Sequence, residues 1–346
     1  MRQMARSYRE AGVNVEEARR AVELIGRAAA ATSTPSVLAG VGGFGSLFRF
    51  DPTTHPDPVL VASTDGVGSK LQLAIALGRH GTIGVDLVNH CVNDIAVHGA
   101  DPLFFLDYLA VGKLRAEAAA EIVSGIADAC AAAGIALVGG ETAELPDLYE
   151  ADEYDLAGFI VGVVERESAL TGAAVREGDV LVGLPSAGLH TNGYTLARRL
   201  FPEDEWRRAA PGLERTIGEE LLEPHRSYLD EIRILRRAMR DAGGEPLAFA
   251  HITGGGWVEN IPRTLPAGLG AEIESGSWHV PLIFSLIQER GDISDADMVR
   301  TFNLGIGLTC VVHPDFEAAA LTALPEARRI GTIVPVERDS PRVAFV

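Results

Sequence analysis

One stretch, residues 59–70, most constrains the fold of this chain, because a short apolar run there meets a carboxylate, spaced glycines and a lysine. Residues 59–62 predict a buried strand, and the apolar pattern after Lys70 predicts a helix. At such a turn, glycine amides can approach phosphate oxygens and a lysine can neutralise their charge. The alternative is a polar turn with a capping aspartate. The candidate phosphate contacts are Asp65, Gly66, Gly68, Ser69 and Lys70.

Composition narrows the class of protein and of partner. With 346 residues, 47% of them hydrophobic, the chain is long enough for two domains with sizeable cores. A formal net charge of −18 argues against nucleic acid or an anionic membrane surface as a partner. No apolar run approaches the ~20 residues that cross a bilayer. Residues 1–8 lack the apolar segment of a signal peptide, so we expect a cytoplasmic protein.

The cysteines and lysines add two further constraints. Cys91, Cys130 and Cys310 lie far apart in apolar patterns, without the spacing of a zinc site, so we expect buried, reduced thiols. Lys70 and Lys113 are the only lysines, and arginine supplies nearly all the positive charge. Because lysine is so rare in this chain, Lys70 in the glycine turn points to a specific need there for a compact ammonium instead of a guanidinium fork.

A second glycine segment, residues 40–45, matches the letters of a dinucleotide-binding fingerprint. Its context differs, because no clear strand precedes it and a short extended piece closed by Pro52 follows it instead of a helix. We therefore expect a mobile glycine flap over a nucleotide, with a plain loop as the alternative. The flap residues are Gly42, Gly43, Phe44 and Gly45.

Residues 82–99 predict a helix that is apolar around most of its circumference and is therefore buried. Asp86, His90 and Asp94 recur every four residues and line up along one side of it. Buried carboxylates must be paired or bind a cation. We expect Asp94 and Asp65 to hold Mg²⁺, with a structural hydrogen-bond network as the alternative. Imidazole is a poor ligand for Mg²⁺, so His90 is expected to be structural.

The other strands of the first half indicate the fold class. Apolar runs predict strands at residues 103–111, 135–138 and 156–165, and a helix at 115–133. We expect the strands that begin at residues 135 and 156 to pair antiparallel, which makes the fold α+β rather than doubly wound. Glu141, just after the second of these strands, is a candidate contact for a metal or nucleotide, and Glu144 is a weaker one.

The second half begins after a polar, turn-rich boundary at residues 165–178. Strands at 180–184 and 247–251 each run into a glycine-rich loop and then a helix start, which is an arrangement that binds anions. Residues 219–240 predict one charged helix, and the tail at 337–346 shows no motif. The candidate contacts in the two loops are His190, Thr191, Asn192, Thr253, Gly254 and Gly255.

Eight motifs follow one another along the chain, at residues 42–45, 65–70, 91–95, 102–108, 139–144, 190–194, 251–256 and 302–307. Together and in this order, they closely resemble the phosphoribosylformylglycinamidine cyclo-ligase family, the aminoimidazole ribonucleotide synthetases of purine biosynthesis. The resemblance runs from about Tyr8 to Val336, which is nearly the whole chain.

The resemblance implies ATP-dependent ring closure of formylglycinamidine ribonucleotide to aminoimidazole ribonucleotide, with release of ADP and phosphate. It implies two α/β-sandwich-like domains, of which residues 1–168 bind ATP and join their sheet to that of a second copy, giving a barrel in a homodimer. Residues 169–346 then form a C-terminal domain that completes the substrate cleft.

The resemblance also implies roles for single residues. Asp65 and Asp94 match metal-associated positions of that family, and Glu141 lies in its third acidic motif. From the chemistry of the reaction we further expect Lys70 to assist Mg²⁺ at the ATP phosphates. If His190 approaches the reacting centre, we expect it to stabilise charge or move a proton.

One departure and several alternatives accompany the resemblance. Residues 32–34 read Thr-Ser-Thr where the family commonly has basic residues. Three explanations are open: the contacts of those basic residues are dispensable, Arg27 supplies them instead, or nucleotide binding is weaker in this chain. Selenophosphate synthetase is disfavoured because the first glycine segment lacks a cysteine, and thiamine-monophosphate kinase is disfavoured by residues 302–307. An oxidoreductase is a further alternative, supported only by the glycines of residues 40–45. A non-catalytic binding protein is the remaining one.

Overall fold

The computed structural model describes residues 14–346; the residues expected to lack a signal peptide lie outside this range. The described chain divides into two units. The N-terminal unit comprises the described residues up to Val92 together with Asp101–Val163, and the C-terminal unit comprises Asn93–Ala100 and Val164–Val346. Among the described residues, every helix is too short or too polar to cross a bilayer.

Residues 14–165 contain four α-helices and six strands. In chain order they are α1 (Val15–Ala31), β1 (Val37–Ala39), β2 (Leu47–Phe48), β3 (Pro58–Gly66), α2 (Leu71–Leu77), α3 (Gly81–Ala96), β4 (Asp101–Val111), α4 (Ala116–Ala133), β5 (Ala136–Glu144) and β6 (Tyr154–Glu165). The predicted helix at 82–99 is confirmed as α3, and the strands predicted at 103–111, 135–138 and 156–165 are confirmed as β4, β5 and β6.

The N-terminal sheet has the strand order β3–β6–β4–β5. β5 pairs parallel with β4, and β6 pairs antiparallel with the other side of β4. The prediction that the strands from residues 135 and 156 pair with each other is therefore wrong. Helix α4 returns the chain so that β5 runs parallel to β4, and a crossover of this kind leaves the opposite side of β4 open for β6.

β3 lies at an edge of this sheet, and its side chains alternate between exposed and half-buried. Leu60 on β3 is 65% exposed, so the prediction of a buried strand at residues 59–62 is wrong. A strand beside only one neighbour can leave apolar side chains uncovered, which a run of apolar letters does not reveal.

Glycines let α3 approach α4 closely. A Cβ on Gly84 would overlap the backbone of Ile122 and Ile126, and a Cβ on Gly125 would overlap the carbonyl oxygen of Gly81. Only a residue without a Cβ fits at such a crossing. The contact fixes the position of α3, the helix with the repeated carboxylates.

Residues 166–346 contain seven α-helices and six strands. In chain order they are β7 (Val180–Pro185), α5 (Tyr194–Leu200), α6 (Ile217–Leu221), α7 (Leu229–Asp241), β8 (Ala248–His251), α8 (Gly256–Asn260), β9 (Leu269–Ile273), α9 (Leu282–Gly291), α10 (Asp295–Thr301), β10 (Ile306–Val312), α11 (Glu317–Ala323), β11 (Arg328–Pro335) and β12 (Val343–Phe345). The predicted helix at 219–240 is wrong in one respect: it is two helices, α6 and α7. Pro224 lies between them, and proline disfavours helix at and before its own position.

The C-terminal sheet has the order β12–β9–β11–β7–β10–β8, and its neighbours are antiparallel except for the parallel pair β12 and β9. Trp257 is fully buried against this sheet, stacked on Trp278 with ring centroids 5.1 Å apart and met edge-on by Phe345 at 5.5 Å. Phe345 belongs to the tail that showed no motif, so the end of the chain completes both the sheet and the core of this unit.

All three cysteines are buried and free, as predicted. Burial raises the pKa of the Cys130 and Cys310 thiols, which keeps them protonated and unreactive. The geometry gives no support to a catalytic role for either.

Candidate active site

The predicted strand, turn and helix at residues 59–70 are present. β3 ends at Gly66, a short 3-10 turn covers Gly68–Lys70, and α2 follows at once. Gly68 has a φ of 67°, a left-handed conformation that glycine adopts without strain. Gly66 and Gly68 are exposed and Ser69 is half-buried, so this turn presents its backbone at the surface of the N-terminal unit.

Lys70 is not part of that exposed surface. Its side chain is fully buried, and Nζ lies 2.8 Å from Oδ1 of Asp86 on α3, which is also fully buried. A buried ammonium and carboxylate neutralise each other, and separating them leaves an uncompensated charge in the core. The structure therefore does not support the predicted contact between Lys70 and phosphate; instead, Lys70 fixes the turn to α3.

Asp65 keeps part of its carboxylate open. Its side chain is 30% exposed, Oδ1 lies 3.6 Å from Nε2 of the buried His90, and Oδ2 accepts a 3.5 Å hydrogen bond from Ser63. A second group that holds a carboxylate in place is typical of residues that bind a cation. The environment of Asp65 suits a metal ligand, and that of His90 suits a supporting role.

The glycine segment at residues 40–45 forms the loop of a hairpin between β1 and β2. Phe44 at its tip is fully exposed, as are the glycines beside it. The base of the hairpin is anchored by a 2.5 Å hydrogen bond from Oγ of Ser46 to the carbonyl oxygen of Val138 on β5. β5 continues to Glu141, whose side chain is exposed. The hairpin and Glu141 thus belong to one connected part of the N-terminal unit.

Glu144, the weaker acidic candidate, has a structural role. Its carboxylate accepts hydrogen bonds from the backbone N–H groups of Asn14, at 3.0 Å, and Leu114, at 2.8 Å. Because these bonds join the start of α1 to the segment before α4, the structure does not support a ligand contact by Glu144.

Thr32, which stands where basic residues were expected, is buried and structural. Its hydroxyl donates to the carbonyl oxygen of Ala29 and accepts from the N–H of Leu137, both at 2.8 Å. Arg27 forms an exposed ion pair with Glu23 at 2.5 Å, so the geometry does not favour Arg27 as a replacement for the missing basic residues.

A buried acid lies in the N-terminal sheet. Asp107 on β4 is 7% exposed and lies opposite Gly140 on β5. Burial raises the pKa of its carboxyl to about 7. In the sequence, Asp107 was only a polar residue within an apolar strand, because the sequence alone does not show how deeply this position is buried.

In the C-terminal unit the two predicted phosphate loops meet. Oδ1 of Asn192, in the loop after β7, lies 3.4 Å from the place where a Cβ of Gly254 would be. Asn260 fixes the second loop by donating to the carbonyl oxygens of Thr253 and Gly254, at 3.3 and 3.1 Å. The side-chain Nδ2 of Asn192 is buried and has no hydrogen-bond partner among residues 14–346. Thr191 and Gly255 are half-buried in the same two loops.

His190 belongs to the first of these loops and is fully buried. It has a φ of 62°, unusual for a side chain with a Cβ, and its Nε2 accepts a 3.0 Å hydrogen bond from the N–H of Ala187. Its ring stacks on that of His225 with centroids 4.0 Å apart. The structure therefore does not support direct contact between His190 and a substrate; a positioning role fits its burial.

Asp94, in the last turn of α3, also has an imidazole beside its carboxylate, at a shorter distance than the 3.6 Å between Asp65 and His90. Its side chain is 29% exposed, and Oδ1 lies 2.7 Å from Nδ1 of the buried His251. One oxygen is thus held by an imidazole while part of the carboxylate is open, as a metal ligand requires. In the sequence, His251 stood out only as part of a motif. His225 was not identified, because a continuous helix was predicted across residues 219–240.

Two family descriptions cover most of the chain. Residues 47–164 match "AIR synthase related protein, N-terminal domain", and residues 176–344 match "AIR synthase related protein, C-terminal domain". The chain is 52% identical over 312 residues to the phosphoribosylformylglycinamidine cyclo-ligase of Desulfitobacterium hafniense strain Y51, covering 90% of this chain and 91% of that protein. It is 49% identical over 345 residues to the Geobacillus kaustophilus protein of the same name, covering 99% and 98%.

Solved structures share the fold at much lower identity. Escherichia coli HypE, a hydrogenase maturation protein, matches with a TM-score of 0.66 and 21% identity, covering 93% of each chain. Thiamine-monophosphate kinase from Stenotrophomonas maltophilia matches with a TM-score of 0.63 and 21% identity, covering 93% of this chain and 95% of that one. These likenesses confirm the α+β fold of two sandwich-like domains. The identity to the cyclo-ligases across almost the full chain goes further: this chain belongs to the phosphoribosylformylglycinamidine cyclo-ligase family.

Proposed function

We propose that this chain catalyses the ATP-dependent cyclisation of formylglycinamidine ribonucleotide to aminoimidazole ribonucleotide in purine biosynthesis, as a cyclo-ligase that forms a C–N bond. The observation that carries the proposal is the 49% identity to the Geobacillus kaustophilus cyclo-ligase over 99% of this chain. The aligned region includes the two glycine loops of the C-terminal unit, the turn that carries Asp65, and helix α3.

The reaction has to convert an amide oxygen into a leaving group. Transfer of the γ-phosphoryl group of ATP to that oxygen releases ADP, and attack of the substrate's own amine on the same carbon closes the ring. The C–O bond then breaks, phosphate departs with the oxygen, and the attacking nitrogen loses a proton. The protein therefore has to align the groups, neutralise charge and exclude water.

We assign ATP binding to the N-terminal unit. Supporting features are the exposed backbone of the Gly66–Gly68 turn with Ser69, the exposed carboxylate of Glu141, and the anchored hairpin of residues 42–45. A hairpin tied at its base and open at its tip suits a cover over a nucleotide. The domain boundary at 168/169 and the division of roles between residues 1–168 and 169–346 are part of this proposal.

Asp65 and Asp94 are the proposed ligands of Mg²⁺. Both carboxylates are about one-third exposed, and an imidazole faces one oxygen of each. Hard cations prefer such oxygen donors, so the donor chemistry fits. When bound, Mg²⁺ supplies positive charge that stabilises the transferring phosphoryl group. His90 and His251 would hold the two carboxylates in place.

Lys70 and His190 have positioning roles in this scheme. Lys70 fixes the turn that carries Asp65 through its buried pair with Asp86. His190 helps to fix the loop that carries Thr191 and Asn192, because its Nε2 accepts a hydrogen bond from the N–H of Ala187 in the same loop.

The two glycine loops of the C-terminal unit are the proposed site for a phosphate of the substrate. Their residues are Thr191, Asn192, Thr253, Gly254 and Gly255. The support is that Asn192 lies beside Gly254 and that its buried Nδ2 has no hydrogen-bond partner among the described residues. A buried donor without a partner is costly unless a ligand accepts from it.

We also propose a homodimer, formed through the N-terminal sheet as an intersubunit barrel. Leu60 on the edge strand β3 is 65% exposed and Phe159 on the neighbouring β6 is 44% exposed. Apolar side chains along an unpaired edge favour association. Light scattering should give twice the chain mass, and Leu60→Asp should shift it towards the monomer. We further propose that the protein works in the cytoplasm, where ATP and the nucleotide substrate occur.

The test of the function supplies formylglycinamidine ribonucleotide, ATP and Mg²⁺ and measures aminoimidazole ribonucleotide and ADP. Product in equal amounts to ADP is expected; absence of product refutes the proposal. Asp65→Asn and Asp94→Asn should lower turnover and weaken Mn²⁺ binding, measured by electron paramagnetic resonance, without changing the circular dichroism spectrum. Normal Mn²⁺ affinity in either variant would remove that residue from the metal site.

A further inference from the structure

The segment between α6 and α7 brings His225 into the core of the C-terminal unit. His225 is 1% exposed. Asn93, beside Asp94 in the sequence, anchors this segment: its Nδ2 donates to the carbonyl oxygen of Arg226 and its Oδ1 accepts from the N–H of Tyr228, both at 2.8 Å. The position of His225 is thus set by the helix turn that carries a proposed metal ligand.

His225 contacts three side chains of the candidate site. Its Nε2 lies 3.0 Å from Nε2 of His251, and its Nδ1 lies 3.4 Å from Oγ1 of Thr191. Its ring stacks on that of His190, with centroids 4.0 Å apart and planes at 21°. His225 therefore connects the first glycine loop with the histidine that faces Asp94.

The shortest contacts of this cluster set the direction of its hydrogen bonds; Nδ2 of Asn93, 3.3 Å from Nε2 of His225, makes its shorter bond to the carbonyl oxygen of Arg226 at 2.8 Å. A carboxylate only accepts, so Nδ1 of His251 carries the hydrogen that it shares with Asp94 at 2.7 Å. In the neutral ring, Nε2 of His251 is then an acceptor. Nε2 of His225, at 3.0 Å, is the nearer donor to it, and Nδ2 of Asn93 lies further away at 3.5 Å. That leaves Nδ1 of His225 to accept from the hydroxyl of Thr191. The tautomer of His251 is therefore set by Asp94 on one side and by His225 on the other.

A transition-metal site is the alternative for these three imidazoles, since ligand atoms of His190, His225 and His251 all lie within 4.8 Å of one another. Two observations oppose it. Nε2 of His190 already accepts from Ala187, which places the ring hydrogen on Nδ1 in the neutral form. The rings of His190 and His225 are also nearly parallel, so their in-plane lone pairs run side by side instead of converging on one point.

We propose that His225 is a positioning residue for the cyclisation. By donating to His251 it holds that ring in the tautomer whose Nδ1–H orients Asp94, and by stacking it holds His190 in the loop of Thr191 and Asn192. The expected effect on kcat rests on the proposed function. The expected tautomer of His251 does not, so each can be refuted without the other.

Two substitutions separate the hydrogen bond from the stacking. His225→Phe keeps a flat ring against His190 and removes both polar atoms; His225→Gln replaces the ring but restores a donor that reaches towards His251. We expect kcat to fall roughly 10- to 100-fold in His225→Phe, with KM changed by less than about threefold, the size typical of a residue that orients a ligand-bearing group. His225→Gln should recover most of kcat. His279→Gln, an exposed histidine of the same unit, is the matched control and should leave both constants unchanged.

A ¹⁵N NMR measurement of the histidine side chains tests the structural claim without activity. In the wild-type protein His251 should be in the Nδ1–H form, and in His225→Phe its two tautomers should mix. An unchanged His251 tautomer in His225→Phe, or a kcat within twofold of wild type, overturns the proposal. Saturable binding of one Zn²⁺ that His225→Phe abolishes would overturn it in favour of the metal site. A wild-type protein without cyclo-ligase activity would refute the proposed function instead. The NMR measurement would then still show whether His225 sets the tautomer of His251.

Discussion

The buried pair of Lys70 and Asp86 makes a quantitative prediction. Both side chains are 0% exposed and their charged atoms are 2.8 Å apart. At an effective dielectric constant of about 20, attraction at this distance is roughly 6 kcal/mol, and taking two ions out of water costs several kcal/mol each. The net contribution of the pair is therefore small, whereas removal of one member leaves a buried charge and should lower the free energy of unfolding by about 3–5 kcal/mol.

The assay is a double-mutant cycle. Lys70→Met and Asp86→Asn should each destabilise by that amount, and the double variant should be at least about 2 kcal/mol more stable than the sum of the single losses predicts. Urea unfolding is best followed by far-UV circular dichroism, because all three tryptophans lie in the C-terminal unit. Hydrogen exchange should place the loosening in α2 and α3.

An exposed ion pair is the control. Arg20 and Glu117 pair on the surface with side chains 57% and 64% exposed, so Glu117→Gln should change stability by less than about 0.5 kcal/mol. A loss below about 1 kcal/mol in Asp86→Asn, or strictly additive losses in the double variant, would refute the pairing and return Lys70 to its predicted place at the phosphate.

Three further predictions concern stability. Gly84→Ala should lower the free energy of unfolding by about 2 kcal/mol or more, because the new methyl group overlaps the backbone of α4; thermal unfolding measures it, and an unchanged midpoint would contradict the close crossing. Arg342→Met should cost about 2–4 kcal/mol, since the guanidinium donates to four backbone carbonyl oxygens at 2.7–3.1 Å, and Arg342→Lys should recover only part of it in urea titrations. Burial raises the pKa of Asp107 in the native state to about 7, above its ordinary value of 3.8, so the native state holds the proton more tightly and stability should fall as pH rises from about 4 to about 7. Asp107→Asn should flatten that fall, and a wild-type curve with no slope there would show that the carboxyl is not buried.

Local patterns predicted much of the fold. The apolar run and glycines at 59–70 were sufficient for a strand, turn and helix, and the helical spacing at 82–99 was sufficient for α3. These features depend on neighbours in the sequence, where spacing and backbone preference act directly. The two glycine loops were likewise identified singly, but their meeting at Asn192 and Gly254 depends on the order of strands in the sheet.

The errors have a common physical origin in contacts between distant residues. Antiparallel pairing was expected for β5 and β6 because they follow each other, whereas α4 makes β5 the parallel neighbour of β4. The contact of Lys70 with a phosphate stays a prediction, but its buried pair with Asp86 was missed because nothing near Lys70 in the sequence indicates that partner. Burial of this kind is set by the packing of the Gly68–Lys70 turn against α3, which spacing alone does not determine.

Two residues that were missed, His225 and Phe345, could have been predicted from the sequence. Pro224 within residues 219–240 should have ended the predicted helix, and the irregular segment that it creates carries His225. The alternation of Val343 and Phe345 around Ala344 was a short strand signal in the tail. Arg342 beside it had no such signal, because its four carbonyl partners come from residues 262–269.

The path of the amide oxygen is the sharpest test of the proposed cyclisation. The substrate is labelled with ¹⁸O in its formyl group and incubated with the protein, ATP and Mg²⁺, and the products are followed by ³¹P NMR and chromatography. Phosphorylation of that oxygen predicts aminoimidazole ribonucleotide, ADP and phosphate in equal amounts, with the label in the phosphate. Unlabelled phosphate, or ADP formed without the ring-closed product, would contradict the account.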